Sequence, residues 1–255
     1  MALIPDRGRM IFSETNVDAP AGLKTVSCQD VALYPELGHR GRGVLVVTVI
    51  GSVKFVDGVA TAGGAALTWT PGEKAKFLTD VPDAVADVWS EKHRITTTSK
   101  LTDFSDVGVM FELKLTEAMS VLSHSHWNVF VTKVDKWRSS CVDKRWSTWI
   151  SNGETHLDSL DLRPEDKGGS STQRGCVHEF GHMLGYRDEY PAAQANPDWV
   201  AETESLMHSC EVVKPRHYAF YADWLTKQFR IKASLAKQPI EWNVNGVVDL
   251  VYAHL

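Results

Sequence analysis

Short runs of apolar residues, and segments in which apolar and polar residues alternate, predict several strands in the first 150 residues. Residues 44–55 form a β-branched apolar run, which is typical of a buried strand. Residues 107–115 alternate and predict a strand with one buried face. Residues 128–135 predict another strand and residues 145–150 a third, whereas residues 1–40 have no clear period. The pattern therefore predicts a sheet built from the middle of the chain.

Helical spacing of apolar residues follows a start signal at Thr70. Thr70 can cap a helix, Pro71 suits its first position, and Glu73 completes a capping box. The apolar positions from Phe77 to Trp89 repeat with the period of a helix. Pro82 lies inside this pattern, so a kink or a restart is expected there.

The second half of the chain predicts a loop, a short helix, an irregular stretch and a last helix. Residues 151–172 are polar and rich in glycine and serine, which predicts a loop. A helix is expected to begin at Ser171 or Thr172 and to end at Leu184. Residues 185–214 show no period, and the last helix is expected after Pro215.

Composition excludes several classes of protein. The chain has 255 residues, 43% of them hydrophobic and 23% charged, and a net charge of −5. These values predict a globular protein without a general attraction for nucleic acid or anionic membranes, and no apolar stretch is long enough for a membrane span. The N-terminus lacks the apolar core of a Sec signal. We therefore expect synthesis in the cytoplasm, with export by a signal-less route left open.

The most informative segment contains two histidines four positions apart. His178, Glu179 and His182 form the pattern H-E-x-x-H, which on a helix directs both imidazoles to one face. Two imidazoles one turn apart can bind one Zn²⁺. Glu179 lies beside them and is predicted to be the general base that takes a proton from water.

A third zinc ligand is expected just after this helix. Gly185 can adopt a left-handed conformation and end the helix, so that the chain turns back and presents Asp188. A carboxylate is an acceptable third ligand and leaves one position open. Glu189 is the alternative, and a more distant Glu202 or Glu204 is another.

The extended pattern H-E-F-G-H-M-L-G-Y-R-D resembles the zinc motif of metzincin metallopeptidases, with aspartate in its last place. The sequence Ser205-Leu206-Met207-His208 looks like the Met-turn of that clan. The resemblance implies a cleft in which one side chain stabilises the oxyanion. The sequence does not rank the donors for this role, which are Tyr190, His208, His217 and Tyr218.

Other groups of chemically active residues have simpler interpretations. His124 and His126 are expected at a polar hairpin tip rather than at a metal. An acidic segment is expected to be a solvated loop rather than a Ca²⁺ site; it contains Asp158, Asp161, Glu165 and Asp166. For the four cysteines, reduced packed thiols are favoured over disulfides, including a pair between Cys176 and Cys210.

These observations together predict an α/β (α+β) zincin in one catalytic domain, residues 1–255. A mixed twisted sheet with a backing helix and the active-site helix is expected to form an upper lobe, residues 1–186. A smaller lobe, residues 187–255, is expected to carry the Met-turn and the last helix. The predicted function is zinc-dependent cleavage of a protein or peptide substrate, with an edge strand at residues 128–135 or 145–150 holding the substrate. The alternatives are a toxin-like effector protease of narrow specificity, with an inhibitor or immunity partner, and a non-catalytic binding module.

Overall fold

The computed structural model describes residues 3–18, 27–117, 125–143, 153–168, 171–193 and 196–244. Its helices are α1 Pro71–Trp89, α2 Gly175–Met183, α3 Pro197–Val200, α4 Arg216–Gln228 and α5 Arg230–Ala236. Its strands are β1 Phe12–Asp18, β2 Ser27–Pro35, β3 Arg42–Val56, β4 Gly58–Val59, β5 Ala66–Leu67, β6 Arg94–Thr96, β7 Asp106–Glu117, β8 Trp127–Thr132, β9 Cys141–Asp143, β10 Gly153–Asp158, β11 Pro164–Gly168, β12 Ser171–Arg174 and β13 Asn243–Val244.

A mixed sheet organises the described part of the chain. Its main path runs β13-β6-β7-β3-β8-β10-β9, with β1 and β2 joined at β3. The central pairs β3/β7, β3/β8 and β8/β10 are parallel, and the outer pairs are antiparallel. β2 and β8 pair with the first and second halves of β3, opposite β7. The predicted mixed α/β class is confirmed at this level.

The strands predicted at residues 44–55 and 107–115 are confirmed as β3 and β7. Val109 and Phe111 on β7 are buried, as the alternation predicts. The strand predicted at 128–135 is β8, but it lies between β3 and β10, so its prediction as a substrate-binding edge is wrong. The other edge prediction, residues 145–150, lies outside the described residues.

Helix α1 begins where its capping box predicts. Thr70 accepts a hydrogen bond from the backbone N–H of Glu73, and the Glu73 carboxylate accepts one from the Thr70 backbone. The helix runs through Pro82 without the predicted restart. At its last residue, Trp89 is fully buried, donates to the carbonyl of Val177, and stacks on Tyr186. One tryptophan therefore joins α1 to the segment that carries the candidate chemistry.

The prediction of a loop over residues 151–172 is wrong, because β10 and β11 form within it and β12 begins at Ser171. Gly153 signals a loop by composition, but it is a packing residue: a Cβ there would lie 2.0 Å from the Trp127 ring. Thr155 and Leu157 alternate toward the core. Pairing with β8 and β9, which are distant in sequence, overrides the local turn propensity.

The last part of the chain returns to the sheet. Helix α4 begins after Pro215 as predicted, and β13 pairs with β6 at the sheet edge. One hydrophobic cluster contains buried residues from both sides of Tyr186, including Phe111 and Leu225. The division into two lobes at Tyr186 stays a prediction. Within the described residues no helix has the length and apolarity that a membrane span requires.

Candidate metal centre

Helix α2 presents His178 and His182 side by side. It begins at Gly175, later than predicted, because Ser171–Arg174 pair with β11 as a strand. The two imidazole rings lie 4.8 Å apart and nearly perpendicular. Their positions one turn apart therefore bring both rings to one site, as the motif predicts.

A backbone carbonyl oxygen contacts the Nδ1 atom of each histidine ring. The Nδ1 atom of His178 lies 2.9 Å from the Leu206 oxygen, and that of His182 lies 2.8 Å from the Tyr186 oxygen. Because a carbonyl can only accept, each Nδ1 carries the hydrogen, and in a neutral ring the Nε2 lone pair is left available. This is how metal-binding histidines are oriented by their surroundings.

Asp188 completes a set of three donor atoms. Its Oδ1 atom lies 3.2 Å from the Nε2 atoms of both His178 and His182. Ligands about 2.0–2.1 Å from a tetrahedral zinc are separated by about 3.3–3.4 Å, so the observed spacing fits such an ion. Two lone pairs facing a carboxylate oxygen repel unless a cation lies between them. The donor set therefore calls for a proton or a metal ion at its centre.

The titration behaviour of these groups agrees with that requirement. Burial acts to raise the pKa of Asp188, yet hydrogen bonds to His178 and His182 hold this pKa well below its usual range. Burial acts to lower the pKa of His182, but Asp188 and the charge of Glu179 raise it overall. The contact between Asp188 and His182 contributes to both shifts, because it favours the charged form of each group.

The turn that delivers Asp188 forms as the position of Gly185 predicts. Gly185 has a φ of 96°, in the left-handed region. Its N–H donates to the His182 carbonyl, and the Tyr186 N–H donates to that of Gly181. These two bonds make a Schellman motif, which ends α2 and reverses the chain.

Glu179 lies beside the three donors. It is buried, and within the described residues its Oε2 atom has no hydrogen-bond partner. Burial raises its pKa, against the opposing effect of His182 and His178. One carboxylate oxygen also lies within 4.8 Å of a ligand atom of each histidine. A buried carboxylate without a partner, close to a cationic site, can exchange a proton with a molecule bound there.

Glu189, the alternative third ligand, is engaged elsewhere. Arg216 donates to both of its oxygens at 2.7 Å, and Ser205 and His217 also contact it. Burial acts to raise the pKa of Glu189, but the bonds from Arg216 and His217 lower it to about 2. Glu202, another alternative, pairs with Arg216.

The remaining alternative ligand, Glu204, pairs with Lys214. Glu189 and Glu202 pair with Arg216. Each of the three alternative glutamates therefore has a cationic partner away from His178 and His182. Among the carboxylates considered for the third position, Asp188 is therefore the one that lies against both histidines.

Met207, in the segment that resembles a Met-turn, packs against Gly181 of α2. The side chain is fully buried, and a Cβ on Gly181 would lie 2.3 Å from its sulfur atom. The N–H of His208 donates to the carbonyl of Ser205, which closes the turn. The glycine between the two histidines is thus required by the close approach of the methionine.

The four proposed oxyanion donors separate into two pairs. Tyr190 and His208 line the cleft in front of the histidines. His217 is buried against Glu189, and the buried Tyr218 hydroxyl donates to the carbonyl of Trp89. His217 and Tyr218 therefore lack access to the cleft. Tyr190 also donates to Asp188 Oδ2 at 2.8 Å, so it orients the carboxylate, a contact that the sequence did not reveal.

No significant match to this chain is found among models of protein families, curated proteins or solved structures. The chemistry of the site is therefore inferred from its own residues and distances.

The cleft has a volume of about 1120 Å³, and its lining includes Asp161, which was expected in a solvated acidic loop. Asp158 and Asp161 are each 3% exposed, so the solvated acidic loop predicted for them is wrong. Ser140 donates to Asp161 at 2.6 Å, and the Asp158 N–H donates at 2.8 Å. Burial, followed by the charge of Asp158, raises the pKa of Asp161 to about 7. The sequence carries no local signal for this burial.

Two further sequence predictions concern residues outside the centre. His126 is buried, and its Nδ1 accepts from the backbone N–H of Ile50, so the predicted hairpin tip is wrong for this residue. His124 lies outside the described residues. Among the described residues, Cys141, Cys176 and Cys210 form no disulfide. Cys176 is buried, as expected of a packed thiol, whereas Cys141 is exposed, so the packed thiol favoured for it is wrong. The side chain of Cys28 is not among those described.

Proposed function

We propose that this protein is a zinc-dependent endopeptidase with a metzincin-like zincin architecture. The observation that carries the proposal is the convergence of Asp188 Oδ1 on the Nε2 atoms of His178 and His182 at 3.2 Å. The carbonyl contacts behind both rings support the neutral tautomer that a divalent metal needs.

Three side chains would hold the metal, and each is prepared for that role. The histidines offer Nε2, and Asp188 offers one oxygen because Tyr190 occupies the other. When bound, zinc supplies a Lewis acid that acidifies water and polarises a carbonyl. Glu179, which burial makes more basic than an exposed carboxylate, accepts the proton of the attacking water and passes it to the leaving amine.

A strand at the end of the sheet lines the cleft and supports a peptide as the substrate. β9 is the last strand on the main path of the sheet, and within the described residues it pairs only with β10. Two of its residues, Cys141 and Val142, line the cleft. The free edge of such a strand can bind a peptide through main-chain hydrogen bonds, so a polypeptide is the substrate class that we propose.

The test combines metal analysis with cleavage of a quenched fluorescent peptide library by the full chain. We expect one zinc per chain and measurable hydrolysis that a chelator abolishes. Glu179→Gln is expected to keep zinc and to lower kcat/KM by about 10²- to 10⁴-fold, and His178→Ala is expected to lose zinc. Glu117→Gln, on β7 outside the cleft, is the matched control and is expected to match the unmodified protein.

Two results would overturn this proposal. A protein that binds zinc but cleaves no peptide in the library is not a general endopeptidase, and this result favours the two alternatives, a protease of narrow specificity or a non-catalytic binding module. Equal rates for Glu179→Gln and the unmodified protein would remove Glu179 from the mechanism.

A further inference from the structure

Two arginines in the cleft have side chains without a partner among the described residues. The side chains of Arg138 and Arg187 are exposed and line the same cleft as the candidate metal centre. Neither guanidinium makes a hydrogen bond or an ion pair with any residue that the structure describes. An arginine presents five N–H donors in a planar fork that matches a carboxylate. These two forks are therefore available to a bound molecule.

The remaining charges of the cleft largely cancel. Lys167 pairs with Glu165 at the rim. Glu179 and Asp188 together balance the two charges of a divalent ion at the proposed centre. Asp161 also lines the cleft and carries at most one negative charge. When a divalent ion is bound, Arg138 and Arg187 therefore leave the cleft with an excess of positive charge, although the whole chain has a net charge of −5. A local field opposite in sign to the rest of the molecule favours an anionic ligand.

The first of these arginines is carried by an anchored backbone. The N–H of Arg138 donates to Asp158 Oδ2 at 3.0 Å, and Ser140, two residues later, donates to Asp161. The anchored segment leads directly into β9, the proposed peptide-binding edge.

The second arginine sits next to the metal centre itself. Arg187 lies between Tyr186, which is buried against Trp89, and Asp188, which Tyr190 orients. Because the backbone that carries each arginine is held by these contacts, less conformational entropy is lost when a ligand binds.

We propose that the cleft selects acidic polypeptide segments, with Arg138 and Arg187 binding Asp or Glu side chains that flank the scissile bond. The proposal rests on the endopeptidase function inferred above and names its substrate class. Each arginine acts on specificity, since neither lies among the proposed metal ligands or takes part in proton transfer.

The test uses the zinc-loaded full chain and three quenched peptides with one common core, flanked by Glu, Gln or Lys. We expect kcat/KM to be about tenfold higher for Glu flanks than for Gln, from two partly screened ion pairs, and lowest for Lys. The preference should weaken as salt is raised. In the double variant Arg138→Glu/Arg187→Glu, the order of the Glu and Lys peptides should reverse.

The matched control reverses two exposed arginines outside the cleft. Arg40→Glu/Arg230→Glu makes the same change in net charge and is expected to keep the preference for Glu flanks. If this control reverses the order as well, net charge rather than the cleft sets it, and the proposal fails. Equal rates for the three peptides also overturn the proposal while leaving the endopeptidase function intact.

A binding measurement separates the two proposals. Zinc-loaded Glu179→Ala is titrated with the three peptides, labelled for fluorescence anisotropy, so that no hydrolysis is needed. Tighter binding of Glu flanks supports the specificity even if the unmodified protein cleaves nothing. Equal affinity for the three peptides overturns the proposed specificity.

Discussion

Replacing Asp161 by asparagine should remove a large part of the pH dependence of stability. Asp161 is 3% exposed, and the structure places it beside the equally buried Asp158. Burial and the charge of Asp158 raise the pKa of Asp161 from 3.8 to about 7. The native protein therefore binds a proton at this site in a range of pH where the unfolded chain has lost it.

The sign and size of the effect follow from that shift. Between pH 4 and pH 7, approximately, the unfolded chain binds fewer protons than the native protein at residue 161, so the free energy of unfolding decreases as pH rises. Each pH unit in this window costs about 1.4 kcal/mol. From pH 5 to pH 7 the unmodified protein should thus lose about 2–3 kcal/mol that Asp161→Asn does not lose, and the difference should level off at higher pH.

The assay is urea denaturation of both proteins at four pH values from 5 to 8, with a chelator present so that no metal adds charge near the site. Ser140→Ala is the matched comparison. It removes a hydrogen bond that lowers the pKa of Asp161. The pH at which the loss of stability levels off should therefore be higher in this variant. We compare the free energy of unfolding of the unmodified protein minus that of Asp161→Asn. If this difference stays constant or rises with pH, Asp161 is not a buried, protonated acid.

Three other substitutions test contacts around the candidate metal centre. Tyr190→Phe removes the bond to Asp188 Oδ2 and should weaken zinc affinity about 10- to 100-fold in a competition titration, with little change in stability. Glu189→Gln leaves the buried Arg216 without its main counter-charge and should cost about 3 kcal/mol by urea denaturation. Gly185→Ala forces a side chain into a φ of 96° and should cost about 1–2 kcal/mol, whereas unchanged stability would mean that the turn relaxes freely.

Local signals in the sequence were sufficient for the long elements. The capping box at Thr70, the apolar run of β3 and the alternation of β7 each specify an element through neighbours in sequence. The strand β10 was missed because its stability comes from pairing with β8 and from the contact of Gly153 with Trp127. Such partners are distant in sequence, and a polar strand with a glycine has the same composition as a loop.

Some features of the candidate site were predictable from local sequence, and others depend on residues distant in sequence. Spacing alone brings His178 and His182 to one face of a helix, and Gly185 supplies the turn that follows, because helix geometry and the freedom of glycine are local properties. The choice of Asp188 over Glu189 was not decided by spacing. It depends on Arg216, which draws Glu189 away from the histidines.

The chain's own pattern was therefore enough to predict helix α1, the start of α4, the strands β3, β7 and β8, and two imidazoles placed beside Glu179. Folding in three dimensions decided which carboxylate meets those imidazoles, which acids are buried and which arginines line the cleft without a partner in the described part of the chain. The physical reason is range: backbone periodicity and capping act over a few residues, whereas burial, ion pairing and desolvation depend on groups that only the folded chain brings together.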